Sequence, residues 1–439
     1  MPPIDFEKDL NPEQRAAALA PDGPVLVIAA AGTGKTRTLT YRVAHLVERG
    51  VDPRRILLLT FTNRAAREML DRARQLVGEG VGGLWGGTFH HMANRMLRRH
   101  AGALGYELDY TILDRDDARG LVRTAADDLG LLGRHFPKPD VLLSVFSLAA
   151  NREQPVADVA ADWFENHPIE IEDVVRVHQS YVKRKRALNA MDFDDLLVNG
   201  LQLFREHSGV LGHYQEHFLH ILVDEYQDTN LIQAEWVDRL AGIRRNLLVV
   251  GDDFQSIYSW RGADFRNFLT FPKRYPATAV FKLETNYRSV PAILEVANAC
   301  IAGNPEQFQK TLHAVREDTS KPVLVRLYGG EEQARYILQS LQHLRRSGAR
   351  MDRIAVLYRA HFHAMELQME LAREKIPYVI TSGVRFFEQA HVKDVTSLLR
   401  LLVNPGDELA FQRLLALLPK VGRKTAARIW EALGRRCDV

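Results

Sequence analysis

Apolar residues gather in short runs of strand length, each stopped by small, hydroxyl-bearing or acidic residues. The first runs occupy positions 25–28, 55–60, 219–223 and 246–250, and strand-like segments recur at 281–283, 323–327 and 354–359. Such runs carry no polar alternation, which is the pattern of strands covered on both faces of a parallel sheet. Stretches of helical period separate them, so the fold class expected is α/β. From 92 to 212 the helical pattern runs on without a strand, which predicts a mostly helical insertion between two sheet-forming segments, 1–91 and 213–280. A second α/β unit is expected over 281–380, and a second helical insertion is expected to begin at 381–439.

The ends of the runs carry the chemistry. The first passes into Ala29-Ala30-Ala31-Gly32-Thr33-Gly34-Lys35-Thr36, and a helical pattern starts at Arg37. Strand, small-residue loop, Gly-Lys-Thr and helix are the parts of a phosphate-binding loop. Small residues let successive backbone N–H groups curl around phosphate oxygens, and the following helix aims its positive end at the same anion. Lys35 is then placed to reach the β- and γ-phosphates, and the Thr36 hydroxyl to hold Mg²⁺. Ala29 stands where the usual pattern has glycine. The run at 219–223 ends in Asp224-Glu225. Behind a phosphate loop, the first carboxylate can anchor Mg²⁺ and the second can orient and deprotonate an attacking water.

Other segments each allow two readings. Asn11 and Pro12 form a helix start, and Gln14 is either a solvated helix residue or a planar amide facing adenine. Phe61 is either core or a platform for a base, while Thr62 and Asn63 either cap a helix or, with Arg64, face a ligand. Basic clusters at Arg95, Arg98, Arg99 and 183–186 are a solvated face or a nucleic-acid surface in equal measure. His213, His217 and His220 could share a helix face, with metal binding the lesser alternative. Gln255, Tyr258, Trp260 and Arg261 lie within one short segment. A γ-phosphate contact at one end and a stacking and clamping set at the other is what a coupling element needs. A turn around 418–426, with Lys420, Gly422 and Arg423, could meet duplex phosphates.

Composition narrows the picture in three ways. The 439 residues are too many for one core. With 58 basic against 55 acidic residues the net charge is only +3, so a nucleic-acid site must be a local groove. Two cysteines give no disulfide framework, and neither a signal pattern nor an apolar run of membrane-spanning length is present, which together predict a cytoplasmic protein.

Taken in order, LNPEQ, AAAGTGKT, TFTNRAAREM, GTFHH, DFDDLL, VDEYQDTN, VGDDFQSIYSWRGAD, ETNYRS, IAVLYR and GVRFFEQAHVKD make the chain resemble the superfamily 1 helicases of the UvrD/Rep type. The resemblance implies tandem RecA-like P-loop motor lobes with inserted helical subdomains. It implies ATP and Mg²⁺ as cofactors, and single-stranded DNA and single/double-strand junctions as partners of a monomer or weak dimer. Gln14, Arg37 and Tyr287 would hold the adenine, Lys35 and Thr36 the phosphates and metal, and Asp224 the metal. Glu225 would be the base, Gln255 the γ-phosphate contact and Arg288 an arginine finger. Phe61, Thr62, Asn63, Arg64, Thr88, His90, Phe193, Tyr258, Trp260 and Arg261 would line the strand path. The activity implied is 3′-to-5′ DNA unwinding or translocation in repair or replication. Phe254 departs from the acidic or amide residue usual at its position, and His91 from a common serine. Two later family motifs do not occur by Val439, so the second lobe is expected to be incomplete. An ATP- and DNA-binding module without efficient turnover is the alternative, and a small-molecule kinase a distant third.

Overall fold

The computed structural model describes residues 4–133, 136–380, 390–418 and 421–437, which form two compact units, 1–320 and 321–439. The first is built on six strands: β1 (Val25–Ala29), β2 (Ile56–Thr60), β3 (Trp85–Thr88), β4 (His220–Val223), β5 (Leu247–Gly251) and β6 (Ala279–Leu283). All pairings are parallel and the order is β3-β2-β4-β5-β1-β6. The expected parallel α/β fold is therefore the fold found. Every residue of β1, β2, β4 and β5 is buried, as runs without alternation require.

One face of the sheet packs on α1 (Pro12–Ala18), α2 (Lys35–Glu48) and α3 (Asn63–Val77), through Ala17, Leu39, Val43 and Met69. The other face packs on α4 (Phe89–His100), α5 (Phe193–Glu206) and α6 (Leu231–Ala241), through Phe89, Met92, Leu201, Phe204 and Trp236. Between α4 and β4 lies the long helical stretch expected from the sequence, interrupted among the described residues only by a two-residue strand pair, 111–112 with 190–191.

Its basic residues divide: Arg99, Lys183 and Arg186 are exposed, whereas others are engaged within the fold. Lys185 is buried, with Asp192 and Asp195 each 2.6 Å away. Arg186 lies 3.8 Å from the ring centroid of Tyr106, Arg95 3.5 Å from that of Trp85 and Arg98 3.8 Å from that of Tyr110. Cationic side chains next to aromatic rings gain more by stacking than by standing free in water. The histidines do not share a helix face: His213 and His217 stack on one helix, whereas His220 begins β4 and is buried.

Two expectations for the second half are corrected. Residues 281–283, read as the opening of a second α/β unit, belong to β6, the edge strand paired with β1 from Val25↔Ala279 to Ala29↔Leu283. The runs at 323–327 and 354–359 form no ladder among the described residues, and Val323, Leu324 and Leu357 are at least 80% exposed. An apolar run becomes a strand only when a neighbour accepts its backbone hydrogen bonds. The second unit instead holds a helix pair, α7 (Gly330–Arg346) with α8 (Met365–Arg373), closed by Leu338, Leu341, Leu367 and Leu371. It also holds a helical group around Leu401, Phe411 and Trp430. Residues 383–389 of the GVRFFEQAHVKD segment, and Lys420 of the turn expected at 418–426, lie outside the described residues.

Candidate nucleotide and nucleic-acid site

The loop after β1 turns on Gly32 and Gly34, both with positive φ (+76° and +88°). A Cβ on Gly32 would lie 2.7 Å from Arg288 Cβ, and one on Gly34 2.5 Å from Gln14 Nε2, so glycine is required by space as well as by conformation. Ala29 needs neither allowance, because it is the last residue of β1, which explains why alanine serves there. Thr33 closes the loop with Oγ1 donating to Ala30 O at 2.7 Å. The N-terminus of α2 has no side-chain cap, whereas Thr62 caps α3 and Thr88 caps α4. Its first-turn N–H groups and dipole are therefore directed at whatever anion the loop takes.

Lys35 reaches from this turn to Glu225, its Nζ 2.9 and 2.7 Å from Oε1 and Oε2. Glu225 has φ +51°, a conformation that costs a non-glycine residue about 1 kcal/mol and aims the carboxylate back at the loop. Asp224 is buried beside it. Burial, then the charge of Glu225, raises the Asp224 carboxyl to about 7, and the same two causes raise Asp228 to about 7. Asp224 Oδ1 and Asp228 Oδ1 are both buried without a hydrogen-bond partner. An anionic oxygen lacking donors suits a hard divalent cation, so the residues present fit Mg²⁺, which Thr36 and Asp224 would hold. Among the described residues no set of three or more His, Cys, Asp or Glu forms an all-protein metal site, and Mg²⁺ that shares phosphate oxygens needs none.

Asp228 yields a stability prediction. An unfolded aspartate titrates near ~3.9, so the folded state disfavours the ionised form: the penalty is absent below pH 4 and complete above pH 7. Asp228→Asn will raise the melting temperature at pH 8, by the equivalent of about 2 kcal/mol, and the gain will shrink toward zero as pH falls to about 4. Thermal melts across that range check it, and a gain independent of pH would refute the cause given.

From Glu225 a polar chain continues. Gln227 Nε2 donates to Glu225 Oε2 at 2.8 Å, and Gln227 Oε1 accepts from the Asp252 backbone at 3.0 Å. Asp252 Oδ2 accepts from Gln255 Nε2 at 2.6 Å. Three residues later Tyr258 begins an aromatic ladder, with ring centroids 5.0 Å from Phe61 and 6.5 Å from Trp260. Trp260 is 61% exposed, Arg261 completes the same short 3₁₀ turn, and Asn63 and Arg64 open α3 beside Phe61 as exposed residues. A second pair, His90 with the exposed Phe193, has centroids 6.1 Å apart. Burial lowers His90 to about 4, so at neutral pH it is an uncharged ring. The exposed rings of Trp260 and Phe193 are of the kind on which unstacked bases stack. Phe61→Ala and Trp260→Ala will each weaken binding of a single-stranded oligonucleotide about tenfold or more while leaving ADP affinity unchanged, as titration of both ligands will show.

The residues expected around the adenine are placed less directly. Gln14 is buried, not solvated. Its Nε2 donates to Thr33 O at 2.8 Å and its Oε1 accepts from Asn11 N at 3.2 Å. Its amide thus supports the loop, and an adenine contact would require it to leave these bonds. Arg37 donates to Asp9 O, and Tyr287 OH accepts from Asn11 Nδ2 at 2.8 Å, so both stand at the start of α1.

Sequence reasoning did not single out Asn286, Gln227, Asp228 or Lys310. Asn286 Nδ2 donates to Ala31 O at 2.5 Å, and its Oδ1 accepts from the backbones of Arg288 and Ser289, fastening Arg288 above Gly32. Gln227 and Asp228 sit one turn beyond Asp224-Glu225, where any polar residue falls inside the site. Lys310 carries no local signal at all.

Residues 10–276 match the UvrD/REP helicase N-terminal domain, and 281–437 the UvrD-like helicase C-terminal domain. The ATP-dependent DNA helicase PcrA of Staphylococcus aureus (strain Mu50) is 36% identical over 414 residues, which are 94% of this chain and 56% of that protein. PcrA of Staphylococcus epidermidis (strain RP62A) is 36% identical over 416 residues, with the same shares covered. The chain thus spans about half the length of the curated relatives it matches. The first of these domains covers more than half of the chain and five of the six strands of the sheet, and the chain belongs to the UvrD/REP helicase family.

Proposed function

We propose that the chain is the nucleotide- and strand-binding part of an ATP-dependent DNA helicase that moves 3′ to 5′ on single-stranded DNA, in repair or replication, in the cytoplasm. Segment 252–261 carries this reading: Gln255 at one end is bonded into the Lys35–Glu225 chain, and Tyr258 at the other joins the ring of Phe61. One short segment, two 3₁₀ turns long, thereby joins the two candidate sites, which is the minimum a motor needs.

In this reading the loop of Ala30, Ala31, Gly32, Thr33 and Gly34 and the start of α2 bind the phosphates, with Lys35 moving from Glu225 onto them. Mg²⁺, when bound by Thr36 and Asp224, supplies neutralisation of phosphate charge. Glu225, released from Lys35, takes the proton of the attacking water, Gln255 contacts the γ-phosphate and Arg288 balances charge as the γ-phosphoryl leaves. Phe61, Trp260, His90 and Phe193 stack bases, while Thr62, Asn63, Arg64, Thr88, Tyr258 and Arg261 complete the strand path. Residues 1–91 and 213–280 act as the motor lobe and 92–212 as its helical insertion. Single/double-strand junctions are the substrate of a monomer or weak dimer.

A second reading is an ATP- and DNA-binding module without efficient turnover, favoured by the unpaired runs at 323–327 and 354–359. ATP hydrolysis with and without single-stranded DNA, with Glu225→Gln as the blank, separates the two. DNA-stimulated turnover above the blank supports the motor, and unwinding of duplexes with 3′ or 5′ tails then reads polarity. Binding of both ligands without turnover supports the module.

A further inference from the structure

The loop from Ala302 to Leu312 buries one lysine. Lys310 has a side chain with no solvent exposure, and its Nζ meets Asp252 Oδ1 at 2.8 Å and Asp253 Oδ1 still closer. The same ammonium lies 3.7 Å from the ring centroid of Phe254. Three consecutive residues of the segment before Gln255 thus converge on one buried cation. The loop is itself pinned there, with Phe308 N donating to Asp253 Oδ2 at 2.8 Å and the Phe308 ring meeting Phe268 edge-on at 5.4 Å.

Burying an ammonium and two carboxylates costs several kcal/mol in desolvation, and apolar residues of the same volume would hold a loop down without that cost. The arrangement therefore calls for a role that packing cannot fill, and Asp252 shows which. One of its oxygens meets Lys310 and the other accepts the amide of Gln255. Its backbone N–H donates to Gln227, which donates in turn to Glu225. With Lys310 and the Phe254 N–H both on Oδ1, the Asp252 carboxylate is held with Oδ2 turned to the Gln255 amide. Without Lys310, Asp252 Oδ1 keeps only the Phe254 backbone N–H at 3.2 Å, so the carboxylate that orients Gln255 is held by one long bond in place of two. Phe254, the departure from the family pattern, fits the same logic: a carboxylate at that position would be a third anion around one ammonium, whereas an aromatic face holds the cation without claiming a proton from it.

We propose that Lys310 is a positioning residue for the γ-phosphate contact: through Asp252 it sets the orientation of Gln255, so that the 302–312 loop and the nucleotide site discriminate ATP from ADP together. This rests on the nucleotide reading above. The test uses the full chain and measures affinity for ADP and for the β,γ-imido analogue of ATP. In Lys310→Met the preference for the triphosphate analogue over ADP will fall about tenfold, the worth of one charge-assisted hydrogen bond, with ADP affinity changed by no more than about twofold. Lys310→Met/Asp253→Asn keeps the formal charge of the cluster unchanged, and it carries the test should the single variant fail to fold. In a Gln255→Ala background the lysine substitution will have no further effect on the preference, because both act through one contact. A variant that loses thermal stability but keeps the wild-type preference overturns the proposal, as do effects of Lys310 and Gln255 that add in full. Wild-type chain that binds neither nucleotide overturns the nucleotide reading and this inference with it. Wild-type chain that discriminates while the Lys310 variants discriminate equally overturns this inference alone.

Discussion

Glu225→Gln will bind ATP at least as tightly as the wild type and lose about 10²–10⁴ of its turnover. The loss follows from removing the carboxylate that would take the proton. The retained affinity follows from the ion pair. Lys35 Nζ lies 2.7 Å from Glu225 Oε2, its side chain only 11% exposed, and it must exchange that partner for phosphate when nucleotide binds. Glutamine keeps the shape and can still accept the bond from Gln227, but it holds the ammonium less strongly, so the exchange is easier. The substitution also removes the second of the two causes that raise Asp224 and Asp228 toward 7, leaving both more fully ionised at neutral pH. Mg²⁺-dependent binding should strengthen for that reason as well. Equilibrium titration with ATP and Mg²⁺, alongside single-turnover hydrolysis, reads both halves. Undiminished hydrolysis would remove Glu225 from the role of base, and weakened ATP binding would show that the ion pair is not in competition with phosphate.

Arg288→Ala is expected to be as severe for a different reason. The residue stands over Gly32, close enough that a Cβ on that glycine would be 2.7 Å from its own. Its backbone is fixed from two sides, by Asn286 Oδ1 accepting its N–H at 2.9 Å and by Arg316 donating to its carbonyl at 3.0 Å. The guanidinium makes no ion pair with a described residue, so its charge is uncommitted a short distance from the phosphate loop. A contributed arginine of this kind is worth about 10³–10⁵ in phosphoryl transfer. We expect kcat to fall by about 10³ with ADP affinity nearly unchanged, since the developing charge it would meet exists only in the transition state. Arg288→Lys will restore little, because an ammonium cannot reproduce the planar two-point contact. A change confined to ADP binding would assign Arg288 to ground-state binding instead.

Other assignments separate by how local their signals are. The phosphate loop was legible because everything it needs is contiguous: a buried strand, small residues with positive φ and an uncapped helix start. Asp224-Glu225 was legible for the same reason, as was the neighbourhood of Gln255 and Tyr258. The basic clusters were legible only in part, since Arg99, Lys183 and Arg186 are exposed as a solvated face would be. A run such as 183–186 reads as surface charge, yet Lys185 is drawn inward by Asp192 and Asp195, residues seven and ten positions away that pattern alone does not bring to it. Gln14 shows the same effect more mildly, because its capping bond to Asn11 is local but its bond to Thr33 is not.

By itself the sequence determined which segments could be strands, where each ends, and that the ends carry a phosphate loop, a carboxylate pair and an aromatic set. Those properties depend on neighbours within a few residues, through burial on two faces, backbone conformation and helix capping. Tertiary structure alone decided which runs find strand partners: 279–283 joined β1 as a sheet edge, while 323–327 and 354–359 joined no ladder among the described residues. It alone decided that Lys35 meets Glu225 across 190 positions and that Lys310 reaches Asp252 and Asp253 from a loop more than 50 positions downstream. Strand pairing and buried ion pairs depend on the partner's position in space, which periodicity does not encode, whereas the conformation that presents each group is set by the residues on either side of it.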